Sequence, residues 1–88
     1  MYTTTTFMSA AKHASKRGKI TLKQMYALIG YAGDMNMGFA HNDQIRERMD
    51  ARIAREGLTG IVETRETGKP DTRGNMTYEL AMTERALK

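Results

Sequence analysis

The spacing of apolar positions changes along this chain, and the changes mark its elements. In residues 6–17, TFMSAAKHASKR, Phe7, Ala11 and Ala14 fall on one helical face and Lys12 and Lys16 on the other; Gly18 follows as a stop. A second helix places Leu22, Met25, Tyr26, Leu28, Ile29 and Ala32 on one stripe, with Lys23, Gln24, Ala27 and Tyr31 away from it. Its start is well marked. Thr21 suits an N-cap, Gln24 stands at the capping-box spacing, and Ile20 and Met25 are placed as a hydrophobic staple. Gly33 is expected to end this helix, and residues 19–21 to pair as a very short strand.

Residues 34–41, DMNMGFAH, read as a loop anchored by Met37 and Phe39. A third helix over 42–56 follows, capped by Asn42, with Asp43 at the positive end of its dipole. Ile45, Met49 and Ile53, spaced by four, face the core, and Gly57 ends the helix with Leu58 set to touch Ile53. The period then drops to two. Met76, Tyr78, Leu80 and Met82 alternate with Thr77, Glu79 and Ala81, the pattern of a half-buried strand, and residues 61–66 are its weaker partner. Residues 83–88 add one helical turn. The expected core is Leu28, Ile29, Ile45, Met49, Ile53, Tyr78 and Leu80. The fold class is α+β, a small three-helix domain closed by a C-terminal hairpin.

At 88 residues the chain makes one domain with a small core, residues 1–5 being expected to fray. It has no cysteine, no apolar run of membrane-spanning length and no signal-peptide layout at its start, so a soluble cytoplasmic protein is expected. The net charge of +4 is unevenly distributed. Residues 1–33 hold Lys12, Lys16, Arg17, Lys19 and Lys23 and no acid; the rest hold nine basic residues and all ten acidic ones. A basic segment of this kind points to a polyanionic partner.

Between the two strands lies TRETGKPDTRGN, residues 64–75, with Arg65, Lys69 and Arg73, two glycines and the sole proline. The loop has the chemistry to contact phosphate through Arg65, Lys69, Arg73 and Asn75. On the third helix, with Ile45, Met49 and Ile53 inward, Gln44, Arg48, Ala51 and Arg55 form an outward stripe. Asp43, Glu47 and Asp50 take the other outward flank. Glutamine and arginine read base edges bidentately, and a small alanine permits close approach. The helix carries four arginines and four acids, so it offers no blanket attraction to phosphate. Intrahelical pairs Arg46–Asp50 and Arg52–Glu56 are the alternative use of these charges. His13 and His41, far apart and without cysteine, make no zinc cluster, and no nucleophile or acid/base constellation emerges. Neither an enzyme nor a cofactor is expected.

The order helix, short strand, helix, helix, strand, loop, strand resembles the winged-helix (winged helix-turn-helix) DNA-binding domain of transcription regulators. Over residues 19–88 the similarity is carried by Gly60, Ile61, Val62 and Glu63, then Asp71 and Arg73, then Tyr78, Leu80 and Thr83. The 34–41 loop is longer than the turn of a simple helix-turn-helix. The resemblance implies a double-stranded DNA partner, helix 42–56 in the major groove and the 65–75 loop as a wing on the backbone. The implied contacts are Gln44, Arg48, Arg52, Arg55, Arg65, Lys69, Arg73 and Asn75, with Lys16, Lys19 and Lys23 as phosphate contacts. Two other readings use the same residues differently. One is a protein-interaction module, such as a small phage-type inhibitor docking on a host protein or nucleic-acid machine, favoured by the acidic flank of the third helix. The other is a subunit completed by weak self-association through Tyr2, Tyr31, Met35 and Met37.

Overall fold

Two glycine stops and one capping box set the helix ends in the computed structural model, which describes residues 4–35, 43–70 and 72–88. Helix α1 spans Thr4–Ser15, starting earlier than the apolar spacing indicates. It closes in a Schellman turn: Gly18, at φ 75°, donates to the Ser15 carbonyl and Lys19 to that of Ala14. Helix α3, Asp43–Arg55, closes in the same way, with Gly57 at φ 73° donating to Ala54 and Leu58 to Ile53. Leu58 and Ile53 are both buried, as the spacing predicts.

Helix α2, Leu22–Asp34, opens on the predicted box: the Gln24 amide donates to Thr21 Oγ1 at 3.0 Å, and Thr21 donates back to Gln24 Oε1 at 3.0 Å. The staple residues Ile20 and Met25 are buried. The same Gln24 side chain reaches further, its amide donating to the Glu56 carbonyl at 2.8 Å. One residue thus caps the start of α2 and the end of α3. Gly33 does not stop α2. The helix runs through it to Asp34, and Met35 caps it by donating to the carbonyls of Gly33 and Tyr31.

Strands β1, Val62–Glu66, and β2, Tyr78–Met82, pair antiparallel in the register Val62–Met82, Thr64–Leu80, Glu66–Tyr78. A final turn of helix, α4 (Glu84–Leu87), is capped by Thr83, whose hydroxyl also donates to the Gly60 carbonyl at 2.7 Å. The described residues thus form four helices and one two-stranded sheet, an α+β fold. Among them, residues 19–21 do not form the expected strand; they are the link from the Schellman turn to the Thr21 cap. No helix among them is long and apolar enough to cross a membrane. Tyr2, Met37, Phe39, His41, Asn42 and Asp71 lie outside the described residues.

The core lies where α1 covers β2, α3 covers β1 and α2 packs on both helices. Phe7, Met25, Leu28, Met49 and Leu58 are its largest enclosed side chains, joined by Ile53, Tyr78 and Leu80. Ile29 and Ile45, expected in the centre, are only half-buried at its edge. The apolar stripe of α2 is also rotated from expectation. Leu22 and Tyr26 face out, while Tyr31 is drawn in against the core. The Gln24–Glu56 hydrogen bond and the packing of Tyr31 turn α2 toward α3, which rolls Leu22 and Tyr26 into solvent.

Leu28 is fully enclosed at the contact of α2 with its neighbours. Leu28→Ala should lower the unfolding free energy by about 2–5 kcal/mol in urea denaturation, through lost burial and the cavity left behind.

Candidate nucleic-acid interface

The site begins with how α3 is held. Its N-terminal half is tied to the hairpin by polar contacts over buried methyl and ring surface. The Tyr78 hydroxyl donates to Asp43 Oδ1 at 2.7 Å. Arg46 lies over the Tyr78 ring, 4.9 Å from its centroid, and donates through Nε to Thr64 Oγ1 at 3.1 Å. Thr64 in turn donates to Asp50 Oδ1 at 2.8 Å. The Arg46–Asp50 pair expected within the helix is therefore joined through a strand hydroxyl. On the other flank, Arg52 lies over the Tyr31 ring at 5.3 Å and reaches Glu56 at 3.9 Å, the expected i,i+4 pair.

These contacts fix the rotation of α3 and decide what it shows to solvent. Gln44, Arg48, Ala51 and Arg55 are all exposed, as the wheel predicts, and the side chains of the three polar ones make no intramolecular hydrogen bond or ion pair among the described residues. Arg52 does not join that stripe; its half-buried side chain belongs to the α2–α3 contact.

Five of the expected phosphate contacts, Lys16, Lys19, Lys23, Lys69 and Arg73, fall toward the two ends of α3. The Gln24–Glu56 hydrogen bond sets the first turn of α2 against the last turn of α3, so exposed Lys23 and Arg55 share one end, with exposed Lys19 and Lys16 on the adjoining link. The hairpin loop leaves from Glu66 and Tyr78, beside Asp43, at the opposite end. Its base is pinned. The Lys69 N–H donates to Thr67 Oγ1 at 3.2 Å, and the Thr77 hydroxyl donates to the Lys69 carbonyl at 2.7 Å. Lys69, Arg73 and Asn75 are exposed there, and Arg73 and Asn75 each make a contact within the chain. Arg65 stands apart, on the sheet face turned from α3, and pairs with Glu63 at 3.0 Å. The two cationic ends are separated by the length of α3, about 20 Å at 1.5 Å per residue.

The acids are segregated too. Asp43, Glu47 and Asp50 line an open cleft of about 460 Å³ with Arg46, Glu66 and Tyr78, between α3 and the hairpin. Among the described residues no group of three or more His, Asp or Glu could hold a metal ion. The spacing of the chain does not disclose the Asp43–Tyr78 contact, which joins residues 35 positions apart. The hydrogen bond to Asp43, burial of the ring and the Asp43 charge raise the Tyr78 phenol above its ordinary 10.0, against the opposing pull of Arg46.

Because the raised value lies in the folded state, this contact contributes its full stability below pH 10 and loses it as the pH rises through the raised value. Alkaline titration at the tyrosinate absorbance should show a phenol ionising above 10.0, removed by Tyr78→Phe and moved down by Asp43→Ala.

No protein family, curated protein or solved structure matches this chain.

Proposed function

We propose that this protein binds double-stranded DNA in the manner of a winged-helix domain, as a small transcriptional regulator. In this reading Gln44, Arg48 and Arg55 of α3 meet base edges in the major groove, and Ala51 allows the helix to approach. Lys16, Lys19 and Lys23 at one end, and Lys69 and Arg73 in the loop at the other, hold the flanking phosphates.

One observation carries the reading: α3 sorts its four arginines into two uses. Arg46 and Arg52 are held on tyrosine rings inside the fold, whereas Arg48 and Arg55 are presented outward on one stripe with Gln44. Side chains that only needed to keep a helix soluble would gain from the intrahelical pairing that Arg52 makes. The placement of cations beyond both ends of the helix adds support, since a helix in a groove has phosphates on both sides.

The acidic cleft between α3 and β1 favours a second reading, a protein-interaction module whose partner brings a basic segment to Asp43, Glu47, Asp50 and Glu66. The two readings separate on one set of variants. On a duplex selected from a random pool, Arg48→Ala should cost about 1–3 kcal/mol and should cost much less on scrambled duplex. Removing Lys69 and Arg73 together, or Lys16, Lys19 and Lys23 together, should weaken both duplexes alike and flatten the dependence on salt. Fluorescence anisotropy at two salt concentrations measures all of these. Absence of duplex binding at low salt, or identical binding by wild type and Arg48→Ala, refutes groove reading by α3.

A further inference from the structure

Helix α2 exposes the two largest unpartnered apolar side chains among the described helices' faces, Leu22 at 50% and Tyr26 at 54%. Continuing along the same stripe, at helical spacings of four and three, are Gly30 and Gly33, both exposed. Glycine is disfavoured in a helix interior, and neither residue has a positive φ that would require it. No close packing inside the protein requires it either, because a Cβ built on Gly30 or Gly33 meets nothing within 4 Å. The stripe therefore carries two bulky projections in its first half and two bare backbone positions in its second.

The charges along one edge of this stripe are arranged against their own helix. Lys23 stands in the first turn, where the dipole favours an anion, and Asp34 in the last, where it favours a cation. Both are exposed.

From these features we infer that α2 is a self-complementary surface on which two copies of this chain associate, with their α2 helices antiparallel about a two-fold axis. Such an axis places Tyr26 of one copy on Gly30 of the other and Leu22 on Gly33. It also keeps the Lys23–Asp34 edges on the same side, so that each Lys23 meets an Asp34. All three pairings are centred within one residue of position 28, so one register satisfies them together. This reciprocity is what a two-fold interface demands of a single surface patch. It selects a second copy as the occupant over an unrelated acidic partner, which Asp34 would repel. The surface differs from the one expected from sequence, since Tyr31 is packed against the core.

Sedimentation velocity without DNA, over a concentration series, tests this. The wild-type mass should rise from the 9.9 kDa of one chain toward twice that value. Gly30→Gln fills the position that receives Tyr26 and should raise the dissociation constant at least about tenfold. It should leave the circular-dichroism melt of the dilute protein unchanged or higher, because the monomer has room for the side chain. Lys23→Asp should weaken association in low salt, and Lys23→Asp with Asp34→Lys should restore it while agreeing better with the helix dipole. A wild type that keeps the mass of one chain into the millimolar range overturns the inference. So does a Gly30→Gln variant that associates as the wild type does, or a double charge exchange that fails to recover.

Discussion

The docking of α3 on the hairpin is the constraint from which the rest of this structure follows. Two strands alone are marginal in water, so the face formed by Val62, Thr64, Tyr78, Leu80 and Met82 must be covered. Helix α1 covers the β2 side, and α3 covers the β1 side with Met49 and Ile53. Apolar contact by itself leaves the rotation of a helix loosely defined. Here the chain of contacts from Asp43 to Tyr78, and from Arg46 through Thr64 to Asp50, defines it, because each hydrogen bond needs its partner at a fixed angle.

With that flank held against the hairpin and Arg52 held against Tyr31, the outward surface of α3 is what remains: Gln44, Arg48, Ala51 and Arg55. The same docking settles the electrostatics. A helix whose charges nearly cancel becomes polarised across its width, with Asp43, Glu47 and Asp50 on the cleft side and Arg48 and Arg55 on the other. The arginine side therefore presents a local positive field that the sum of charges hides, since screening limits the reach of the acids across the helix to about 8 Å at physiological salt.

Helix α2 is placed by different means, and its outer face reflects them. Gln24 ties it to the end of α3, and Tyr31 turns inward beneath Arg52. The roll that satisfies both leaves Leu22 and Tyr26 in water on a domain whose core is small for its surface. A second copy laid on that face extends the burial that one chain lacks. Lys23 borders both this face and the cationic end shared with Arg55.

Much of the local structure was legible in the sequence because it depends on neighbours within a few residues. The Thr21–Gln24 box, the glycine stops at Gly18 and Gly57, the burial of Phe7, Ala11 and Ala14, and the alternation of Tyr78, Leu80 and Met82 all follow from short-range spacing. The outward stripe of α3 was legible for the same reason, since the period of Ile45, Met49 and Ile53 implies its opposite face. Periodicity could not say how far each helix would roll. The exposure of Leu22 and Tyr26, the inward turn of Tyr31 and Arg52, and the continuation of α2 through Gly33 depend on what packs beside α2. Nor could it pair Asp43 with Tyr78 or route Arg46 to Asp50 through Thr64, because those partners lie on different elements and meet only when the hairpin closes on α3. Local spacing determined which faces exist; tertiary packing decided which way they point, because rotation about a helix axis is set by contacts that sequence neighbours do not make.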